Sequence, residues 1–367
     1  MPDARPAAGS TPAPERIAVA MSGGVDSSVA AALLREQGHA VLGLSLQLQP
    51  RAGRACGGTD GLERARVVAG QLGIPLHTLD VAREFEALVL RPAWEEYARG
   101  RTPNPCLLCN EHIKFGLLLA WARRLGAEAL ATGHYVRLER DARGRPQLLR
   151  GQDAARDQSY FLAGLTAEQL EPLRFPLGAL AKPEVRALAR RLGLASAEAP
   201  DSQDACLRQP GQAFAEVLRR RFGAEARPGP VLDGAGSVLG RHPGIHLVTV
   251  GQRKGLGIPA ASRRWVKALR TEDAAVVLTA DERELDSRGL TVRGVRWIDG
   301  QLPDGPLACQ IQVRYRTAAV PGHLERTGAD EARATFERPV RAVSPGQAAV
   351  FYDGERVLGR GWILAAG

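Results

Sequence analysis

The sequence predicts an α/β fold with three parts: an N-terminal parallel sheet covered by helices, a small β-rich central module, and a C-terminal β-barrel. Three observations predict it. Between residues 16 and 135, short apolar runs alternate with stretches of helical periodicity, the pattern of strands joined by crossover helices. After Pro228-Gly-Pro230 the pattern changes to short strands broken by Gly and Pro. The length, 367 residues, suits about two to three domains, and a composition of 44% hydrophobic and 24% charged residues excludes wholesale disorder.

The elements follow in chain order. Residues 1–15 are rich in Pro and Ala, lack the apolar core of a signal peptide, and read as a flexible tail. Ile17-Ala-Val-Ala20 is a buried strand; Ser27 to Gln37 places Val29, Ala32 and Leu33 at helical spacing, and Gly38 ends that helix. Val41 to Leu48 is a second strand, Gly61 to Leu72 a second helix, and Leu76 to Leu79 a third strand. Asn110 to Leu125 is a long helix leading to a strand at Ala129–Ala131. Residues 135–151 form a hairpin turning at Asp141-Ala-Arg-Gly144, and short helices follow at 182–192 and 212–222. The domains expected are a nucleotide-binding domain at 16–206, a basic central domain at 207–272 and the barrel at 273–367. No apolar run approaches 18 residues, so no membrane span is expected. Five unevenly spaced cysteines do not make a disulfide framework, so a reducing cytoplasm is the expected compartment.

Charge is concentrated. Residues 207–271 hold 12 basic and three acidic groups, so this segment carries the whole excess of +9. Such a field suits a polyanion, because each phosphate that is neutralised releases condensed counterions. A solvated arginine-rich surface is the plainer alternative.

The first strand runs straight into Met21-Ser-Gly-Gly-Val-Asp-Ser-Ser28, which opens a helix. Adjacent glycines let backbone N–H groups approach phosphate oxygens, Ser22, Ser27 and Ser28 add hydroxyls, and the helix N-terminus supplies positive potential. The loop is neither G-x-x-x-x-G-K-[ST] nor G-x-G-x-x-G. Ser-Gly-Gly-Val-Asp-Ser resembles the loop of the ATP pyrophosphatase superfamily, which cleaves ATP between its α and β phosphates. That resemblance implies ATP contacts from Ala20, Met21, Ser22, Gly23, Gly24, Val25, Asp26 and Ser27, with Asp26 helping to hold Mg2+ on the pyrophosphate.

The thiols form a second constellation. Arg101-Thr-Pro-Asn-Pro-Cys-Leu-Leu-Cys-Asn-Glu-His112 puts Cys106 and Cys109 just before the long helix, where a thiol loses its proton more readily. Asp201-Ser-Gln-Asp-Ala-Cys206 offers a third thiol among polar groups. Cys56 and Cys309 have no such setting. Three readings stay open: inert thiols, a dithiol relay through Cys109 and Cys206, or a metal site in which Cys106, Cys109 and Cys206 hold an iron–sulfur cluster one ligand short of closure.

Together these blocks resemble the tRNA-specific 2-thiouridylase (MnmA) family over residues 16–365. Further matching segments are Ala131-Thr-Gly-His-Tyr135, Asp157-Gln-Ser-Tyr-Phe161, Gly244-Ile-His246, Thr249-Val-Gly-Gln-Arg-Lys-Gly-Leu-Gly257, Val313-Arg-Tyr-Arg316 and Ser344-Pro-Gly-Gln-Ala-Ala-Val-Phe-Tyr-Asp353. The resemblance implies ATP-dependent sulfur transfer to C2 of the wobble uridine, U34, of lysine, glutamate and glutamine tRNAs. Cys206 would carry a persulfide loaded by a sulfur-donor protein, and Cys109 would be the nucleophile. Leu46 and Gly133 join the expected ATP contacts. Asn104, Pro105, Cys106, His134, Arg156, Asp157, Gln158, Arg253, Lys254, Arg314, Tyr315 and Gln347 fall at expected tRNA contacts. One departure matters: many members carry Asp where this chain has Cys106, which strengthens the [4Fe–4S] reading beside the relay. Other pyrophosphatase-superfamily enzymes and a non-catalytic RNA-binding module leave the paired thiols unexplained.

Overall fold

The computed structural model describes residues 13–49, 59–200, 211–258 and 263–367. The expected tail therefore lies outside it except at its end. There Glu15 is tied down, its carboxylate meeting Arg174 at 2.6 Å and its N–H donating to His39 Nδ1.

The N-terminal sheet is built around β1 (Arg16–Ala20), flanked by β2 (Ala40–Gln47), β3 (Leu76–Asp80) and β4 (Ala129–Ala131). After the hairpin β5 (Val136–Arg140) and β6 (Pro146–Arg150), a two-residue strand β7 (Leu173–Arg174) completes the order β3-β2-β1-β4-β7, all parallel. Helices cover both faces, so the strands read as unbroken apolar runs. Ile17, Val19 and Val41 face the layer of helices Val25–Glu36, Thr59–Leu72 and Lys182–Arg191, while Ala18, Leu42 and Leu44 face the opposite core. Each fully buried Leu or Ile contributes about 2 kcal/mol of transfer free energy.

The segment expected as one α-helix at 110–125 begins earlier and changes pitch. It is α-helical over Pro105–Leu108, a π-helix over Cys109–Leu118, and α-helical again over Leu119–Arg124. The start is set by Asn104, whose side chain accepts from Leu107 N–H, with Pro105 at the first helical position. Both thiols therefore lie inside the helix and not before it. A second helix pair, Ala82–Phe85 through Arg91–Ala98, was not evident from the sequence, where Pro92 interrupts the pattern; the structure accommodates it in the first turn of Arg91–Ala98.

The hairpin turns at Asp141–Arg145 as expected, but it does not stay with its own domain. β6 pairs with the last strand of the chain through Leu149 and Arg356. The central sheet has the order β10-β11-β8-β9, from β8 (Gly229–Leu232), β9 (Val238–His242), β10 (Trp265–Arg270) and β11 (Ala275–Thr279). Residue 273, the expected boundary, falls in the turn between β10 and β11. The C-terminal strands are β12 (Asp286–Trp297), β13 (Leu307–Gln312), β14 (Val320–Arg326), β15 (Glu331–Arg341), β16 (Ala348–Asp353) and β17 (Arg356–Ala366). They run β12-β15-β14-β13-β16-β17, and β17 pairs back onto β12 to close a six-stranded barrel. Closure removes the exposed edges an open sheet would leave.

Candidate active site

A cavity of about 200 Å³ opens at the carboxyl ends of the parallel strands, where ligands bind in open α/β sheets. Ala20, Met21, Ser22, Asp26, Ser27, Leu46, Gly133, His134 and Gln158 line it, all expected from the sequence. Gly23, Gly24 and Val25 shape the turn behind them. Gly23 sits at φ +77°, and a Cβ there would fall 2.0 Å from Gly61 O. At Gly133 a Cβ would come within 2.7 Å of Asp26 C and Ser27 N, so the two loops meet backbone to backbone.

The hydroxyls are not arranged as expected. Ser28 is fully buried and donates to Gly24 O at 2.9 Å, and Ser27 Oγ donates to the same carbonyl at 3.2 Å while accepting from Ser22 N–H. These bonds hold the turn, because a helix-opening serine satisfies nearby backbone before it reaches a ligand. Arg64 Nε adds a donor to Gly23 O.

Asp26 is engaged more heavily than its loop position suggested. Lys182 Nζ meets its two oxygens at 2.6 and 2.8 Å, and Tyr135 Oη donates to it at 2.7 Å. Lys182 comes from the first turn of its helix and is buried. Asp26 is the only carboxylate in the cavity wall among the described residues, and with an ammonium against both oxygens a Mg2+ there would have to share it with Lys182. Lys182, Tyr135, Lys114, Thr132, Leu44, Leu48 and Leu118 are functional-site residues that the sequence reading missed. Lys182 lay 156 residues from Asp26 in an ordinary amphipathic helix, and only its Lys-Pro-Glu start marked it.

His134 is clasped by Phe115 and Phe175, with ring centroids 5.7 and 6.4 Å away. Burial and the Lys114 charge hold its pKa well below the usual histidine value, so the ring is neutral. Thr132 Oγ1 accepts from His134 N–H and sits 2.6 Å from Nδ1. With the Thr132 hydroxyl donating to Nδ1, the neutral ring carries its proton on Nε2 and presents Nε2–H as a donor.

Cys109 is buried and Cys106 half-buried. Cys109 opens the same π-helix whose Lys114 and Leu118 line the cavity. Cys206 and Cys56 lie outside the described residues. Among the described residues no three metal-ligating side chains come together, so Cys106 and Cys109 alone do not make a cluster site. Cys309 lies on β13, where burial pushes its thiol pKa up to about 12, an inert setting.

The expected RNA-contacting residues fall into three groups. Asn104 and Pro105 cap the thiol helix, and Gln347 Nε2 donates to Thr102 O and Pro103 O just before them. Tyr315 stacks on Phe161 at 4.3 Å, Arg314 donates to Ala342 O and Ser344 Oγ, and Gln158 Oε1 accepts from Tyr135 N–H. Asp157 is engaged internally, accepting from Gly151 N–H, Ser159 N–H, Ser159 Oγ and Arg150, while Arg156 lies half-buried beside it. Arg253 and Lys254 are exposed on a central-domain loop. The basic excess of 207–271 is partly neutralised from outside the segment: Arg221 pairs with Glu86, Lys267 with Glu284 and Arg270 with Asp273. A second cavity of about 190 Å³ lies under the Thr102–Pro105 loop, lined by Pro103, Asn104, Leu108, Arg293 and Trp362 among others. No helix among the described residues is long and apolar enough to cross a membrane.

Comparison with known proteins agrees with this architecture. Residues 15–209 match the model of a tRNA methyl transferase HUP domain, 216–280 its PRC-barrel domain, and 287–363 an aminomethyltransferase beta-barrel domain. Proteins named tRNA-specific 2-thiouridylase MnmA are similar over nearly their whole length. That of Geobacter metallireducens is 46% identical over 96% of this chain and 97% of its own. That of Parvibaculum lavamentivorans is 48% identical over 96% and 92%, and that of a Synechococcus strain 44% over 95% and 97%. At 44–48% identity over nearly the whole of both chains, the chain belongs to the tRNA-specific 2-thiouridylase (MnmA) family.

Proposed function

We propose that this chain is a tRNA sulfurtransferase that converts the C2 oxygen of the wobble uridine of tRNA to sulfur at the expense of ATP. One observation carries the reading: a single helix supplies Cys109 at its start and two walls of the nucleotide cavity, Lys114 and Leu118, further along. A phosphate cradle and a thiol on one rigid element suit activation of a carbonyl oxygen followed by sulfur attack. The words methyl transferase in the matched domain's description do not account for either feature.

In this reading the uracil O2 attacks the α-phosphate of ATP, and pyrophosphate leaves toward the Gly23–Gly24 turn. Lys114 and Lys182 lie where negative charge accumulates, and His134 Nε2–H is a donor for a phosphate or uracil oxygen. The terminal sulfur of a persulfide on Cys206 then attacks C2, and AMP leaves. The Cys109 thiolate attacks the Cys206 sulfur, the bond between it and the transferred sulfur breaks, and 2-thiouridine is released. The Cys109–Cys206 disulfide returns to two thiols with two electrons from an external thiol reductant. The expected substrates are the lysine, glutamate and glutamine tRNAs, the sulfur coming from a cysteine desulfurase or relay protein. An iron–sulfur cluster is the second reading, favoured by Cys106 alone.

Two measurements test the proposal. Pyrophosphate exchange into ATP should require tRNA lacking thiolation, and tRNA from a strain without this gene should lack 2-thiouridine at the wobble position. Exchange without RNA, or unchanged thiouridine, overturns it.

A further inference from the structure

The pitch of the thiol helix has a chemical consequence. On an α-helix, residues five and nine apart lie about 140° and 180° apart around the axis, so Lys114 and Leu118 would face away from Cys109. On an i→i+5 helix of roughly 4.4 residues per turn the same separations shrink to about 50° and 15°. The π form over Cys109–Leu118 therefore turns Cys109 onto the face that lines the nucleotide cavity. Such helices are rare, usually single turns, and this one spans ten residues. Something must hold it.

The holding groups come from outside the helix. Glu111 lies on the face opposite Cys109, about 160° round on that pitch. Its carboxylate, 1% exposed, receives Arg360 Nε at 2.9 Å and Arg360 Nη2 at 2.7 Å to both oxygens. Arg360 belongs to β17 of the barrel and is itself 3% exposed. Gln169 Nε2 donates to Glu111 O and Phe115 O at 3.2 and 3.0 Å, satisfying two carbonyls of the widened turns.

We propose that Arg360, through Glu111, is a positioning residue for Cys109: the C-terminal barrel holds the thiol helix in its wide form and so aims the nucleophile at bound ATP. The proposal rests on Cys109 acting as nucleophile at the nucleotide cavity. A planar guanidinium fork grips a carboxylate in one orientation, which an ammonium does not, so Arg360→Lys keeps the charge and loses the aim.

The test follows alkylation of Cys109 by iodoacetamide, read by peptide mass spectrometry, with and without ATP. In the wild-type chain, saturating ATP should slow Cys109 alkylation at least about fivefold by covering its face of the cavity. In Arg360→Lys that protection should fall below about twofold while the calorimetric ATP Kd stays within about threefold. Cys309, buried in the barrel, is an internal reporter: its slow labelling shows the barrel still folded. Should Arg360→Lys expose Cys309, Gln169→Leu reports instead, with the same loss of protection expected from the opposite clamp. Full ATP protection in the variant that remains folded, or none in the wild type, overturns the inference. Because labelling needs no tRNA or sulfur donor, failure here is distinct from failure to make thiouridine.

Discussion

Replacing Lys182 by Met isolates the pairing that the sequence concealed. The ammonium lies 2.6 and 2.8 Å from the Asp26 oxygens, with the lysine side chain 8% and the aspartate 31% exposed. Removing one member of a fully buried pair costs about 3–5 kcal/mol. Asp26 keeps Tyr135 Oη and some solvent, so the expected cost is about 2–3 kcal/mol. For a domain of this size that lowers Tm by roughly 5–10 °C. The double variant Asp26→Asn/Lys182→Met has no stranded charge and should recover most of that loss, with a coupling of about 2 kcal/mol in the cycle. Pyrophosphate exchange behaves differently: under the proposed function the Lys182 charge behind Asp26 supports the charge that develops on pyrophosphate, a contribution of about 100- to 1000-fold in rate that neither variant has. The assay is a melt of all four proteins beside exchange at saturating ATP and tRNA. A Lys182→Met protein melting within about 1 °C of wild type would refute the energetic argument, and one keeping full exchange would refute the catalytic one.

Cys109→Ser should reduce thiouridine formation by about 1000-fold or more, measured by nucleoside mass spectrometry, because a hydroxyl replaces the thiolate nucleophile. Protein purified without oxygen should be colourless under the relay reading; a brown charge-transfer band abolished by Cys106→Ala would instead install the three thiols as iron ligands. Arg253→Ala or Lys254→Ala should weaken tRNA binding and reduce the slope of log affinity against log salt by about 1, measured by filter binding. His134 titrates below its unfolded value, so the unfolded chain takes up the proton first and stability present above pH 6.5 is lost as pH falls. The loss sets in as pH falls through about 6.5, and His134→Asn should flatten that part of the pH–stability curve in chemical denaturation.

The sheet and the cradle were legible because their signals are local. Ile17-Ala-Val-Ala20 followed at once by Gly23-Gly24 writes strand, turn and helix in consecutive residues, and burial on both faces leaves no alternation to misread. The thiol helix was half legible. Its body from Asn110 was read, but its start at Pro105 was placed five residues late, and its pitch depends on Arg360 and Gln169, 249 residues and 58 residues away from Glu111. No periodicity within residues 105–124 encodes a partner on β17. Lys182 and Tyr135 were missed for the same reason, since a pairing between segments more than a hundred residues apart has no periodicity to show it. The hairpin was read correctly as a hairpin, but the pairing of Leu149 with Arg356 depends on a strand that closes a barrel two hundred residues later.

Those long-range contacts converge on one short loop. Thr102 N–H donates to Pro345 O of the barrel, its hydroxyl donates to Thr249 Oγ1 of the central domain, and Gln347 grips its carbonyl. Ser344 Oγ, on the residue just before Pro345, donates to Val250 O, linking the two outer domains directly. All three domains therefore meet immediately before the capped helix that begins with Cys106 and Cys109. A few hydrogen bonds at the rim of a domain contact are each worth about 1 kcal/mol, so together they are enough to fix the loop that leads into the thiol helix. The loop before the thiol helix is thus tied to both outer domains by the bonds just named, so a substitution at Thr102 or Gln347 reaches the helix that carries Cys109 without touching the cavity wall.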